Sequence, residues 1–342
     1  MSSEIIFKMP SKLDLADSIN AAVQLDSLPK ANSYSLDFAS LKFAEPFGML
    51  YFASQLRRFR LSRSDSRFKA DNYQHLGYAA HMGFFQSFGL NHGKEPGEAS
   101  GSHQYVPITR LDLKKLAKEA FDQYEDVRET IERISMELAG VLVREDTGPL
   151  YDTLSYSLRE IFRNVHEHSG ADSLWYAAQY WPEKGWVELS ILDEGIGITK
   201  TLSRNPHLTI VSDYDALQYS LLPGISGVAF KGGPKQAKNP WANSGYGLFM
   251  TSQLCLRGGT FAIISGGGGL LLKNHEQSKL DCGFKGTAIR LQFHIPEIQG
   301  LTGALENLRK KGAEIAGTMK QAANISASMS SRMLLSKDSN RS

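Results

Sequence analysis

"REIFRNVHEHSG", residues 159 to 170, sets a carboxylate and a carboxamide four residues apart on a helical pattern, with two histidines behind them. The helix begins after Asp152 and Thr153, both good N-cap residues. Leu154, Leu158, Ile161, Phe162 and Val165 make its apolar stripe. At 100° per residue, Glu160, Asn164, Glu167 and His168 fall on an adjoining arc, with Asn164 and His168 nearest the stripe. A charged outer face accounts for the carboxylates but not for an asparagine bordering the core. Glu and Asn at i and i+4 on such an edge suit a hydrated magnesium ion and a water near a phosphate, because that hard cation takes oxygen ligands and keeps waters. Most such pairs are simply solvated, so the surrounding sequence has to decide.

Three downstream stretches do so. In "WVELSILDEGIGI", residues 186 to 198, Val187, Leu189 and Ile191 alternate onto one face and Asp193 shares their parity. A carboxylate therefore ends a strand on its core side, where it needs hydrogen-bond donors. An adenine amino group is such a donor, and Gly195 and Gly197 let the backbone pass close to a ligand. In "NSGYGLFMTSQL", residues 243 to 254, Gly245 and Gly247 precede an apolar helical pattern, and amides at such a start favour phosphate. In "GFKGTAIRLQFHIP", residues 283 to 296, Thr287 has the parity of Ile289, Leu291 and Phe293 and faces inward as Asp193 does. "FAIISGGGGLLLK" reads as two strands joined by a glycine turn; no Gly-Lys-Ser/Thr follows, so it is not a phosphate loop. "LWYAAQYWPEKGWVEL" alternates as a packed hairpin does.

In the order Glu-x-x-x-Asn, Asp-x-Gly-x-Gly, Gly-x-Gly-Leu, Gly-Thr, these stretches resemble the Bergerat nucleotide-binding fold of the GHKL superfamily. That superfamily includes gyrase, ninety-kilodalton chaperones, histidine kinases and mismatch-repair ATPases. The resemblance covers about residues 149–298 and implies an α/β sandwich with helices on a mixed, mostly antiparallel sheet. It implies ATP and Mg2+ as cofactors. Asn164 would be the metal ligand, and Glu160 the general base or water-orienting residue. Asp193 would read the adenine amino group with Thr287 nearby, and Gly195 and Gly197 would shape the base pocket. Gly245 and Gly247, with the amides of Tyr246 and Leu248, would wrap the phosphates. Residues from Ile198 to Ser244 would form a lid whose Lys231, Lys235 and Lys238 are basic but more simply solvated. The compact "REIFRNVHEHSGA" looks most similar to anti-sigma-factor serine kinases, where a following histidine, here His168, occurs at the same spacing.

Residues 1–104 mix strand-like runs with helical "PFGMLYFASQLRRFR" and suggest a smaller α/β domain. Residues 33 to 92 resemble a STAS domain, the kind of protein those kinases act on. Where STAS antagonists carry a phosphorylated serine, this chain has Ala44, Glu45 and Pro46, which implies a docking or sensing module. Residues 105–148 form the connection. There Leu113, Ala117, Ala120, Tyr124, Val127, Ile131, Ile134, Leu138 and Val141 predict one unbroken helix of roughly 45 Å at 1.5 Å per residue. Its seam at 113–141 serves either a homodimer or packing within the chain. No histidine lies between Gln104 and Val165, which argues against an autophosphorylating histidine kinase. Residues 299–342 hold one helical pattern at 304–324 and a serine-rich end expected to be disordered.

Across the 342 residues, 38 basic and 36 acidic side chains leave a net charge of +2 and no global pull toward nucleic acid or anionic lipid. No stretch has the apolar length of a membrane span, and two cysteines fit a reducing compartment, so a cytoplasmic protein is expected. The whole reads as an ATP-binding regulator that controls a partner protein through Mg-ATP binding, slow hydrolysis or phosphoryl transfer. The alternative is a nucleotide-gated assembly or sensor module without catalysis.

Overall fold

The computed structural model describes residues 4–122, 124–227, 230, 246–299 and 302–321 of a mixed α/β protein. The chain divides into two compact units. One gathers Met1–Arg110 with Trp175–Gln179 and Glu188–Leu192, and the other gathers Leu111–Leu174, Tyr180–Val187 and Asp193–Ser342. No described helix is long and apolar enough to cross a membrane.

The first unit opens with β1 (Glu4–Lys8), β2 (Lys12–Leu13), α1 (Leu15–Asp26), β3 (Ser33–Asp37), β4 (Phe43–Ala44), α2 (Pro46–Leu61) and β5 (Arg67–Asp71). Short helices α3 (Gly77–His81) and α4 (Phe84–Ser87) follow. β1, β3 and β5 form a parallel sheet in that order, and β2 pairs with β4. The helices begin where local chemistry allows. Asp14 accepts from the Asp17 amide at 2.9 Å to cap α1, and Pro46, which has no N–H to leave unsatisfied, opens α2. Glu45, at the N-cap of α2, makes no side-chain cap bond. Instead the fully buried Glu188 accepts from the Phe47 amide at 2.9 Å, so a carboxylate answers the positive end of α2. Phe38, Phe84, Phe85 and Phe88 fill the core, with Phe38 and Phe85 edge to face at 5.5 Å.

The remaining elements are β6 (Tyr105–Asp112), α5 (Leu113–Asp122), α6 (Val127–Val143), α7 (Pro149–Asn164), β7 (Ser173–Trp181), β8 (Trp186–Asp193), α8 (Ile198–Leu202), α9 (Asp213–Ser220) and α10 (Gly247–Leu256). Then come β9 (Gly259–Gly266), β10 (Gly268–Lys273), β11 (Glu276–Leu280), β12 (Phe284–His294), α11 (Ile295–Gln299) and α12 (Thr302–Gln321). A seven-stranded sheet runs β11-β10-β9-β12-β8-β7-β6, and its β11-β10-β9-β12 portion is antiparallel. The two hairpin expectations, β7 with β8 and β9 with β10, hold as neighbouring strands.

Three expectations are corrected. The unbroken helix at 113–141 is two helices after a strand, divided at Tyr124, which sits at φ 58°. Asp126 starts the second by accepting from the Arg128 amide at 2.9 Å, and this cap outweighs the apolar period. Ile131, Ile134 and Leu138 are buried and α6 packs on α7, so this part of the seam is used inside the chain. Tyr124, counted in that seam, is 99% exposed. Next, the stretch read as an irregular lid contains α8 and α9. The Asp213 carboxylate accepts from the Thr199 hydroxyl and from the Gly267 amide at 2.7 Å, which ties both helices to the β9–β10 turn. Lys231, Lys235, Lys238 and Gly245 lie outside the described residues, as does the serine-rich end. Third, Gly148 is the N-cap of α7 and Pro149 its first residue, so Asp152 lies inside the first turn and Thr153 just after it. Proline's preset φ starts the helix early, and the Thr153 hydroxyl donates back to the Pro149 carbonyl at 2.6 Å.

A candidate nucleotide site around helix α7

The stripe Leu154, Leu158, Ile161, Phe162 and Val165 is buried as its spacing requires. The polar arc beside it is deeper than a helical wheel suggests. Glu160 is 2% exposed, whereas Asn164 and His168 are half-buried, the reverse of the expected order. The cause is tertiary: α6 and α10 both pack against α7. A Cβ at Gly247 would lie 2.8 Å from the Glu160 Cβ and 2.9 Å from the Ser157 carbonyl oxygen, so the first residue of α10 sits directly on the Glu160 turn. Gly247→Ala should therefore cost about 1–3 kcal/mol through overpacking. Urea unfolding measures it, and an unchanged midpoint would contradict this contact.

After Asn164 the helix widens into a π turn, Val165–Ser169, ended by Gly170 in the left-handed region. Such turns are rare and are found frequently at functional sites. The turn brings Ser169 to the loop that follows β8, where the Ile196 amide donates to the Ser169 carbonyl at 2.8 Å. A Cβ at Gly195 would lie 2.3 Å from that same oxygen, so only glycine fits there. The half-buried Asn164 is the last residue of α7, directly before the π turn.

Asp193 ends β8 and is 2% exposed. Its Oδ1 accepts from the Gly195 amide at 2.9 Å, and the half-buried Thr287 hydroxyl donates to the same carboxylate. Burial pushes its pKa up to about 6, against the opposing pull of those two donors, and neighbouring Glu194 adds to the rise. The inward parity read for Asp193 and Thr287 thus brings them into contact. What holds them is a bulge in β12 between Phe284 and Thr287. Gly286 stands there at φ +107°, and a Cβ on it would be 2.0 Å from the Asp193 carbonyl oxygen. Gly197, at φ +81°, lies against the buried Ser265, whose hydroxyl donates to the Gly286 carbonyl at 2.6 Å and accepts from the Ile198 amide at 3.0 Å.

On the other side of Glu160, α10 begins with no side-chain cap bond, so its first amides are not answered by a side chain at the N-cap. Tyr246 and Leu248 are half-buried there. α12 backs this end: the Tyr246 hydroxyl donates to the Gly312 carbonyl at 3.4 Å. Four separated stretches therefore meet through one helix. Glu160 meets the start of α10, Ser169 meets the Asp193 loop, and Asp193 meets the β12 bulge.

Three participants escaped the sequence reading. Ser265 and Gly286 are seen only once strands pair, although a glycine beside Thr287 hinted at a bulge. Arg163 reads as a solvated cation on a wheel but is 3% exposed; its Nη1 lies 3.4 Å from Glu160 Oε1 and its Nη2 lies 3.1 Å from Glu167 Oε1. Among the described residues no group of three His, Cys, Asp or Glu side chains could hold a metal. The donor set near Asn164 fits magnesium only as a phosphate-borne ion, with one carboxamide oxygen from the protein and the rest from nucleotide and water. A scan of the chain against protein-family models finds no match, and neither does a search of curated proteins.

Proposed function

We propose that residues 149–298 form a Bergerat-type ATP-binding domain of the GHKL kind and that Mg-ATP bound there controls a protein partner. The observation that carries this reading is the buried Asp193 carboxylate, held by one amide and one hydroxyl, at a strand end flanked by glycines in close contact with α7. Asp193 accepts the adenine amino group and Thr287 keeps the carboxylate oriented. The loop at Gly195 and Gly197 lines the base pocket, and His168 borders it. The backbone amides of Gly245, Tyr246, Gly247 and Leu248 receive the phosphates. Asn164 holds the magnesium that neutralises phosphate charge when the nucleotide is bound. Glu160, ion-paired with Arg163, orients the attacking oxygen and takes its proton in hydrolysis or in transfer to a partner's hydroxyl. We assign the smaller unit a STAS-like docking role within a cytoplasmic regulator.

Calorimetry with purified protein, ATP and magnesium tests the reading. Uptake is expected with and without turnover, and no uptake under either metal condition would sink it. Adenine recognition needs an ionised Asp193. With the free-site pKa at about 6, affinity is level above that pH and falls about tenfold for each unit below it. Binding at pH 5.5 then releases about three-quarters of a proton, read from the buffer dependence of the heat. An affinity that does not change from pH 8 to pH 5 would detach Asp193 from the base.

A further inference from the structure

We infer that the C-terminal end of α2 is the docking surface of the smaller unit and that it takes an acidic, amphipathic segment of a partner protein. The inference rests on the docking role proposed for this unit and adds the surface and the chemistry of what it takes. Residues 57–69, "RRFRLSRSDSRFK", hold six basic side chains and one acidic, a net +5 in a chain of net +2, so the other residues together carry −3. The excess is therefore local. Arg58 and Arg67 are exposed, and Arg60 and Arg63 are half-buried. The last two sit on one cluster of rings: Arg60 lies 5.7 Å over Phe68, and Arg63 lies 3.9 Å over Phe59 and 5.8 Å over Tyr34. Tyr34 and Phe68 stack at 5.3 Å, and Phe59 meets Phe68 edge to face at 6.0 Å. Arg67 immediately precedes Phe68 at the start of β5, and Arg58 stands one turn before Leu61.

The partners of these arginines within the unit are neutral. Arg58 donates to the Gln55 carboxamide oxygen at 2.8 Å, Arg60 to the Phe88 carbonyl, and Arg63 to the Leu28 carbonyl at 2.9 Å and the Tyr34 hydroxyl at 3.1 Å. Among the described residues no carboxylate forms an ion pair with Arg58, Arg60, Arg63 or Arg67. Leu28 and Phe88 lie at the ends of α1 and α4, so Arg60 and Arg63 answer the negative ends of those helices. That accounts for two of the four and offsets only partial charges. It gives no role to the exposed Arg58 and Arg67, nor to Leu61, which is 78% exposed while Phe47, Leu50, Phe52, Leu56 and Phe59 of the same helix are buried. Guanidinium forks pair bidentately with carboxylates, and an apolar side chain among them calls for an apolar one opposite. Charge complementarity therefore selects a segment in which Glu or Asp flanks an apolar residue. Tyr34 and Phe59 are 1% and 3% exposed and Phe68 is half-buried beneath Arg60, so the rings offer no stacking platform to nucleobases. A lipid surface requires a broad apolar face, and α2 has turned its own into the core apart from Leu61.

The test uses the full chain without nucleotide and a fluorescein-labelled amphipathic peptide of glutamate and leucine, read by fluorescence anisotropy across a salt series. Binding is expected and weakens as salt rises. Arg58→Glu/Arg67→Glu should weaken it about tenfold or more, and Leu61→Ser about fivefold. Arg58→Lys/Arg67→Lys keeps the charge without the fork and should lose about threefold. Arg60 and Arg63 are left in place because their carbonyl contacts serve the fold. The melting temperature and the Mg-ATP affinity of these variants should match wild type, whereas a merely structural role would move the first and not peptide binding. Should the reversed variant not fold, Arg58→Gln/Arg67→Gln takes its place with the same expected direction. Wild-type protein that does not bind the peptide, or charge-reversed protein that binds it as well as wild type, overturns the inference. So does tighter binding of polyuridylate or of phosphatidylserine vesicles, which would assign the surface to RNA or to lipid. Self-association that the reversal abolishes, without peptide binding, would assign it to a second copy instead. Peptide binding by protein that takes up no ATP would reject the nucleotide reading and leave this surface standing, and ATP uptake without peptide binding would do the reverse.

Discussion

Asp193→Asn protein will bind Mg-ATP about a hundredfold more weakly than wild type and will nonetheless be the more stable protein at pH 8. The first effect comes from donor counting. The carboxylate accepts from the Gly195 amide and the Thr287 hydroxyl and, in the proposed complex, from the adenine amino group as well. An asparagine has one acceptor oxygen and turns its NH2 toward one of those donors, losing a charge-assisted bond of about 1.5–3 kcal/mol and adding a donor facing a donor. The second effect follows from linkage. Burial raises the pKa of Asp193 from 3.8 to about 6, so the folded state holds this proton more tightly than the unfolded chain. Stability associated with the protonated form is fully present below pH 4 and is lost as pH rises through 6, a loss of roughly 3 kcal/mol. Asparagine does not titrate and escapes that loss. Melting curves should nearly coincide at pH 4 and separate at pH 8, and a constant gap at both would refute the burial argument. Unchanged ATP affinity would refute the recognition argument separately.

Glu160→Gln is expected to lower turnover by about 10²–10⁴-fold while ATP affinity stays within about threefold, the usual range for removing a general base from a folded site. The side chain keeps its volume against Gly247, and Arg163 keeps Glu167, so no buried cation is stranded. Labelled ATP, with free phosphate and phosphoprotein assayed separately, distinguishes hydrolysis from transfer. Wild-type protein that binds Mg-ATP and yields neither product would make nucleotide-gated assembly the correct reading. Undiminished turnover in the variant would remove Glu160 from the chemistry.

Much of the candidate site was legible because strands and helices expose their contacts in periodic form. Alternation at two residues put Asp193 and Thr287 on inward faces, and the structure joins them. Helical spacing put Glu160 and Asn164 on one side of α7. Failures came where a local signal competed with the period. The capping pattern of Asp126 with Glu129 three residues on, available in the sequence, ends the supposed continuous helix, yet the apolar repeat on both sides concealed it. Depth was illegible for a different reason. Glu160 and Arg163 are buried by α6 and α10, and a single-helix projection contains no neighbours. Gly286 is required by a carbonyl oxygen from residue 193, a distance along the chain that no local window spans.

The π turn at Val165–Ser169 makes α7 intolerant of insertions and deletions in a way that ordinary helices are not. A π turn is one residue too many for an α-helix, and here the surplus carries Ser169 to the Ile196 amide and Glu167 back to Arg163. Excising a single residue from it would restore a regular helical pitch at little local cost. It would also withdraw the surplus residue that sets the Ser169 carbonyl against the Ile196 amide, so the length of this segment, and not only its side chains, matters to the loop after β8.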